Sequence, residues 1–265
     1  MKMHRRQLLH LLGGSGLPAL GWTQNTDPTG GDPLGSMQWP MLLRKHIGSE
    51  PWGFSNEVTV KGPDYAEDAM NVPVFLDARA LMRSAGPIER IVLLADRNPI
   101  QHILDFEPLA CWPVLAFRFR MEQGSPVRAL ARTRDGQWHV GQTWVNAAGG
   151  GCTVPGLTRA DGSWSQTLGQ VQAKAFRNVI EGGTRLRLRV MHPMDTGLVS
   201  GIPAFHLETL TLQDPQGQAL WRLALHEPVS ENPLLTFELG DGARGPWRLQ
   251  GRDNNGNRID QQVSA

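Results

Sequence analysis

Leu186, Leu188 and Val190 alternate with Arg185, Arg187 and Arg189, and this period of two constrains the fold more than any other pattern in the chain. Side chains on a strand point alternately to opposite faces, so such a segment buries one face and wets the other. The same period runs through Val171, Ala173 and Ala175, from Leu207 to Leu212, through Trp221, Leu223 and Leu225, through Leu235, Phe237 and Leu239, and through Trp247 and Leu249. Gly182-Gly183, Asp214-Pro215-Gln216-Gly217, Asp241-Gly242 and Asp253-Asn254-Asn255-Gly256 punctuate these runs with turn chemistry. Earlier in the chain, Val58-Thr59-Val60, Val72 to Leu76, Ile91 to Leu94 and Phe117 to Met121 read as short strands, the last alternating strictly. Asp135-Gly136 between Val127–Thr133 and Trp138–Val140 is a hairpin signal. Only Met37, Trp39, Met41, Leu42 and Ile47 fit a helix, a short one interrupted near its start by Pro40. The pattern predicts a mainly β chain of two immunoglobulin-like β-sandwich domains with a short N-terminal helix.

The first set of strands runs through Thr143-Trp144-Val145 into Ala147-Ala148-Gly149-Gly150-Gly151-Cys152. Gly149, Gly150 and Gly151 have no side chain to pack and admit positive φ freely, so they read as a flexible arm. Cys152 at its end is expected to be offered to solvent. Residues 153–167, with Pro155, Gly156, Asp161, Gly162 and Ser163, read as a linker. The expected organisation is therefore a first domain over residues 35–152, the linker over 153–167, and a second domain over 168–265.

At the N-terminus, Arg5-Arg6 precede Gln7-Leu8-Leu9, an apolar stretch to Leu20 and the small-residue region Pro18-Ala19-Leu20-Gly21. This is the pattern of a twin-arginine export signal over residues 1–22, an address rather than part of the fold. The expected location is the periplasm. Without Lys2, Arg5 and Arg6 the formal net charge falls from +1 to −2. A near-neutral chain has no basic footprint for nucleic acid. No other segment approaches the ~18 apolar residues of a membrane span.

These segments resemble the Sox sulfur-carrier family, a heterodimer of SoxY and SoxZ. The SoxY-like element is Thr143-Trp144-Val145-Asn146 followed by Gly149-Gly150-Gly151-Cys152. The SoxZ-like stretches are His192-Pro193-Met194-Asp195-Thr196-Gly197, Ile202-Pro203-Ala204-Phe205-His206, Asn232-Pro233 and Asp253-Asn254-Asn255-Gly256. The chain thus looks like a SoxY–SoxZ fusion of a subgroup associated with quinoprotein dehydrogenases. The resemblance implies a carrier, not an enzyme: Cys152 would hold a sulfur-containing intermediate covalently while partner enzymes act on it. Those partners would be periplasmic sulfur-oxidising enzymes, or a quinoprotein dehydrogenase and its cytochrome. One departure stands out. The family's cysteine closes its chain, whereas Thr153-Val154-Pro155 follow Cys152 here. Five residues from Ala147 to Gly151 span about 17 Å when extended, at ~3.3 Å each.

The residues leave alternatives open. Nothing in sequence beside Cys152 lowers a thiol pKa from its usual ~8.5, and the nearest cation is Arg159, so activation would come from a partner. Cys111 and Cys152 are the only cysteines, and in an oxidising compartment they admit a disulfide; Cys111, between Ala110 and Trp112, also reads as a buried small hydrophobe. Met191-His192-Pro193-Met194 offers sulfur and imidazole for copper, with His206 and His226 able to join only through the fold, or else is a strand ending in a proline turn. In a fused chain, His192 and Met194 are also candidates for guiding docking near the arm. Trp144 and Trp164 either shield the arm or belong to the core, and the arginine row is either a solvated face or a dock for an acidic partner. No phosphate-cradling loop, Gly-x-Ser-x-Gly elbow or Cys-x-x-Cys pair is present, and no metal or cofactor is expected. The second functional reading is a non-carrier accessory or binding module of a quinoprotein dehydrogenase system.

Overall fold

The computed structural model describes residues 27–177, 183–240 and 243–264. The expected export signal at 1–22, Gly182 and the Asp241-Gly242 turn lie outside the described residues. The first half opens with helix α1 (Trp39–His46), then β1 (Trp52–Phe54), β2 (Thr59–Lys61), β3 (Tyr65–Ala66) and β4 (Val72–Asp77). Helix α2 (Arg79–Ala85) leads to β5 (Ile88–Ala95), β6 (His102–Glu107), β7 (Val114–Phe119), β8 (Ser125–Thr133) and β9 (Trp138–Ala147). Two short helices follow, α3 (Leu157–Asp161) and α4 (Trp164–Thr167). The second half comprises β10 (Val171–Arg177), β11 (Thr184–Val190), β12 (Leu207–Gln213), β13 (Ala219–Leu225), β14 (Leu234–Leu239), β15 (Trp247–Asp253) and β16 (Arg258–Val263).

The protein is mainly β and of the immunoglobulin-like sandwich class, as the alternation predicts. The two halves are not beads on a linker, however. One sheet runs β1-β9-β8-β5-β6-β13-β12-β15-β16, with β3 alongside β9, and the other runs β10-β11-β14-β7-β4-β2. Each sheet crosses from one half into the other. In the larger, Phe106 of β6 pairs with Leu223 of β13; in the smaller, Leu115 of β7 pairs with Phe237 of β14. The halves therefore pair within one chain and share a continuous core that includes Leu93, Phe106 and Phe119 with Leu188, Trp221 and Phe237. Trp221 stacks on Phe237 at 4.0 Å between ring centroids, next to the seam.

Three local corrections have plain causes. Pro40 does not interrupt α1 but sits in its first turn, where a backbone N–H has no intrahelical acceptor to lose. Alternation fails at Arg120: β7 ends at Phe119, and both Arg120 and Met121 are buried. The expected linker folds into α3 and α4, and Arg159 ties it down through an ion pair with Asp195 at 2.7 Å.

A second core lies on the outer face of the larger sheet. There α1 lays Trp39, Leu42 and the following Ile47 over Val92, Leu94, Leu130, Trp138 and Val140. Beneath it, the fully buried Arg128 bonds Asp32 and Asp96 and lies 4.4 Å from the centre of the Trp39 ring system. Two carboxylates and an aromatic face compensate a guanidinium that burial alone would disfavour.

Candidate functional site

Strand β9 leaves the sheet beside β3, where Ala66 pairs with Ala147, and the Ala148 N–H donates to the Ala66 carbonyl at 3.0 Å. Gly149 and Gly150 then take φ of 93° and 75°, a region closed to most side chains. Their role is a tight path, not freedom. Gly150 and Gly151 donate their N–H groups to the carbonyls of Glu122 and Met121, each at 3.0 Å. A Cβ on Gly151 would stand 2.1 Å from the Ala69 carbonyl oxygen, so only glycine fits there.

Cys152 is consequently buried, 1% exposed, where the glycine run predicted a solvent-facing thiol. Its Sγ lies 3.6 Å from the Arg120 carbonyl oxygen, and its N–H donates to Glu122 Oε2 at 3.1 Å. Its carbonyl accepts a 2.7 Å hydrogen bond from Thr196 Oγ1 of the second half. Glu122 also accepts from Thr153 Oγ1 at 3.2 Å. Arg120, 1% exposed, donates to the carbonyls of Val154 at 3.2 Å and Met194 at 3.3 Å, with longer contacts to Gly151 and Pro193. One guanidinium thus laces the cysteine segment to the His192–Thr196 loop.

Burial pushes the Cys152 thiol up to about 12, the Glu122 carboxylate adds to the shift, and Arg120 only partly opposes it. In this arrangement the thiol is protonated and shielded, the reverse of an activated nucleophile. Cys111 and Cys152 are both free, and burial raises the Cys111 thiol as well.

The Met191-His192-Pro193-Met194 donors are engaged internally. His192 Nδ1 accepts from the Met194 N–H at 3.1 Å, His192 Nε2 lies 3.5 Å from Asp253, and Met194 Sδ accepts from the Leu207 N–H at 3.3 Å. Met194 takes φ of 50°, which turns the backbone so that Thr196 meets Cys152. His192 and Met194 are buried, so neither is presented to a partner; they shape the loop that covers the thiol. His206 lies between the two groups: it is beside His192 and also feels the charge of His226, whose own ring packs on His102. Trp164 packs edge-on to Phe205 at 5.8 Å as part of this cover, while Trp144 faces Arg97 at 4.7 Å. Arg185, Arg187 and Arg189 all stand exposed. Glu122 and Arg120 carry no sequence signal for the site, and Thr196 stands in a SoxZ-like stretch without pointing to the thiol; only the fold brings the three to Cys152.

Two family models match the chain: sulfur oxidation protein SoxY over residues 43–152, and sulphur oxidation protein SoxZ over residues 176–264. The chain belongs to the Sox sulfur-carrier family, as a SoxY–SoxZ fusion. The SoxY match ends on Cys152 itself. Among solved structures, the sulfur carrier protein SoxY from Chlorobium limicola f thiosulfatophilum is similar at 20% identity and a TM-score of 0.36, over 42% of this chain and 96% of that one. A putative membrane anchored protein from Corynebacterium diphtheriae is similar at 9% identity and a TM-score of 0.26, over 79% of this chain and 57% of that one. No curated protein sequence matches the chain. SoxY and SoxZ are carrier and accessory families, which gives this chain a carrier-like part in sulfur oxidation alongside sulfur-oxidising enzymes. Among the described residues, no helix is long and apolar enough to cross a membrane.

Proposed function

We propose that the protein is a periplasmic carrier that holds a sulfur-containing intermediate covalently on Cys152 and presents it to partner enzymes. The observation that carries this reading is the SoxY match ending at Cys152, on a segment docked by hydrogen bonds and not fixed by a disulfide. The docked thiol is a storage state. For loading, residues 147–154 lift from Glu122 and Thr196, and the partner's site supplies the base that the fold withholds. With thiosulfate as cargo, the Cys152 S–H bond breaks and an S–S bond forms to the outer sulfur. That step releases one proton and two electrons, which a haem-type electron acceptor of the partner takes up. The twin-arginine pattern supports export, and the quinoprotein association of the fused subgroup supplies the setting.

Intact-mass analysis of the chain after turnover with its sulfur-oxidising partners tests the carrier reading. A sulfur adduct on wild-type chain, absent from a folded Cys152→Ser variant that no longer supports oxidation, is the expected result. The burial of Cys152 favours a second reading, an accessory module of a quinoprotein dehydrogenase in which the thiol is only part of the packing. Full oxidation with Cys152→Ser would establish that reading in place of the carrier. Cell fractionation, with and without replacement of Arg5 and Arg6 by lysine, checks the location.

A further inference from the structure

On the outer face of the larger sheet, where the SoxY and SoxZ halves meet, four side chains crowd together that the cysteine site does not use. His102 and Asp105 stand on β6, His226 follows β13, and His46 ends α1. The register explains their convergence. Asp105 pairs with Val92 on one side and Ala224 on the other, and Val92 packs under α1, so Asp105 shares that outer face. His226, two residues beyond Ala224, returns to the same face. His102 lies three residues before Asp105, and simple alternation would turn it into the core. A bulge reverses this: Leu93 pairs with Leu104 but Leu94 pairs with His102, so Ile103 is skipped and His102 faces outward.

The resulting distances are short. His102 Nε2 lies 3.3 Å from Asp105 Oδ1, and His226 Nε2 lies 4.0 Å from Asp105 Oδ2. The His102 and His226 rings are 4.0 Å apart, and His46 meets His102 edge-on at 5.0 Å. One ligand atom each from His102, Asp105 and His226 lies within 4.8 Å of the other two. Nevertheless Nε2 of His46, His102 and His226, and Oδ1 of Asp105, are shielded from solvent and make no hydrogen bond. Buried polar atoms are almost always satisfied, so four unsatisfied ones at one spot need a common explanation. Asp105 forms ionic contacts with both imidazoles, at 3.3 and 4.0 Å, but neither has the geometry of a full hydrogen bond, so the ion pairs alone leave these atoms without a close partner.

Imidazole nitrogens with one carboxylate are the donor set that borderline divalent transition ions take up. Ligands ~2.0–2.2 Å from such an ion sit roughly 3.3 Å from each other in a tetrahedron, which the His102–Asp105 pair already matches. We propose that His102, Asp105 and His226 bind one divalent transition ion of the zinc class, with His46 closing the fourth side, and that the ion clasps the SoxY half to the SoxZ half across β6 and β13.

The test uses the full chain without an affinity tag, dialysed against Zn2+ and, separately, Co2+. One ion per chain is expected, with Co2+ giving visible bands of tetrahedral nitrogen and oxygen ligation and no thiolate charge-transfer band, which separates this site from Cys111 and Cys152. His102→Ala and His226→Gln should each weaken binding at least about tenfold. Should a variant fold poorly, imidazole 15N shifts of the wild-type chain decide instead: His102 and His226 move on Zn2+ addition while His139 and His192 do not. Less than a tenth of an ion per chain at micromolar free metal, undiminished binding in the double variant, or shifts confined to other histidines would each overturn the proposal.

Discussion

Thr196 Oγ1 donates to the carbonyl of Cys152 at 2.7 Å, so a loop of the SoxZ half closes over the thiol of the SoxY half. A two-chain carrier would meet its scaffold at an interface; here the two halves share one continuous core, to which Met194 of the covering loop belongs. The consequence is chemical as well as geometric, because the cover excludes the water that a thiolate requires.

Cys152 should therefore alkylate very slowly in the folded protein. A thiol held at about 12 is ionised to the order of 10⁻⁴ at pH 8, against roughly a quarter for a free cysteine. In a Cys111→Ser background, iodoacetamide modification followed by mass spectrometry should run at least ~100-fold slower in native buffer than in denaturant. Glu122→Gln removes a charge that opposes the thiolate and should speed the native reaction. Labelling at the rate of a free cysteine in the native chain would mean that the docked state is not the resting state.

Arg120 is the second link across the same junction, and its removal should couple stability to exposure. Arg120→Met leaves the carbonyls of Val154 and Met194 without their donor in a buried setting. A loss of about 2–4 kcal/mol in denaturant unfolding is expected. Faster Cys152 labelling should accompany it. A variant that loses stability without gaining reactivity would show that Arg120 braces the halves but does not hold the strap.

Much of this architecture was legible in the period of two, and little of the site was. Leu186, Leu188 and Val190 announce a strand because alternation is local, and Asp135-Gly136 announces its hairpin for the same reason. Alternation says nothing of partners, and β6, which with β7 pairs with the second half, carries no clear period of two. Three consecutive glycines read as an arm because flexibility and close approach require the same residue. What separates them is the Ala69 carbonyl standing 2.1 Å from where a Gly151 Cβ would be, a long-range fact. Arg120 occupies a wet position of the alternating pattern, and only the end of β7 at Phe119 turns it inward.

His192 should make the protein sensitive to acid. Burial drives its pKa down to about 4, against the pull of Asp253 and with a further push from His206 and Arg159. The unfolded chain protonates this imidazole near pH 6.5, whereas the folded chain does so only near 4. Between those values the unfolded state binds the extra proton, so stability falls as pH drops from 6.5 to 4 and the loss levels off below. The size is about 3 kcal/mol, from ~1.4 kcal/mol for each pKa unit. Chemical denaturation across this range should show the slope, and His192→Gln should flatten it. An unchanged slope in that variant would place the acid sensitivity on other groups.

The glycine run offers the sharpest separation between path and freedom. Gly150 stands at φ of 75° with nothing near its Cβ position, so Gly150→Ala is a purely conformational strain. It should cost about 1–2 kcal/mol and leave Cys152 docked. Gly151→Ala instead drives a methyl into the Ala69 and Met121 carbonyls, and the segment must lift to relieve the clash. Residues 151–154 then lose the contacts with Glu122, Arg120 and Thr196, while the strands of both sheets keep theirs. The expected outcome is Cys152 labelling accelerated at least ~10-fold, with most of the global stability retained because the shared core is untouched. A flexible, undocked arm predicts that neither alanine changes the labelling rate, so Gly151→Ala decides between the two, and hydrogen exchange at the amides of Gly150 and Gly151 supplies an independent reading of the same choice.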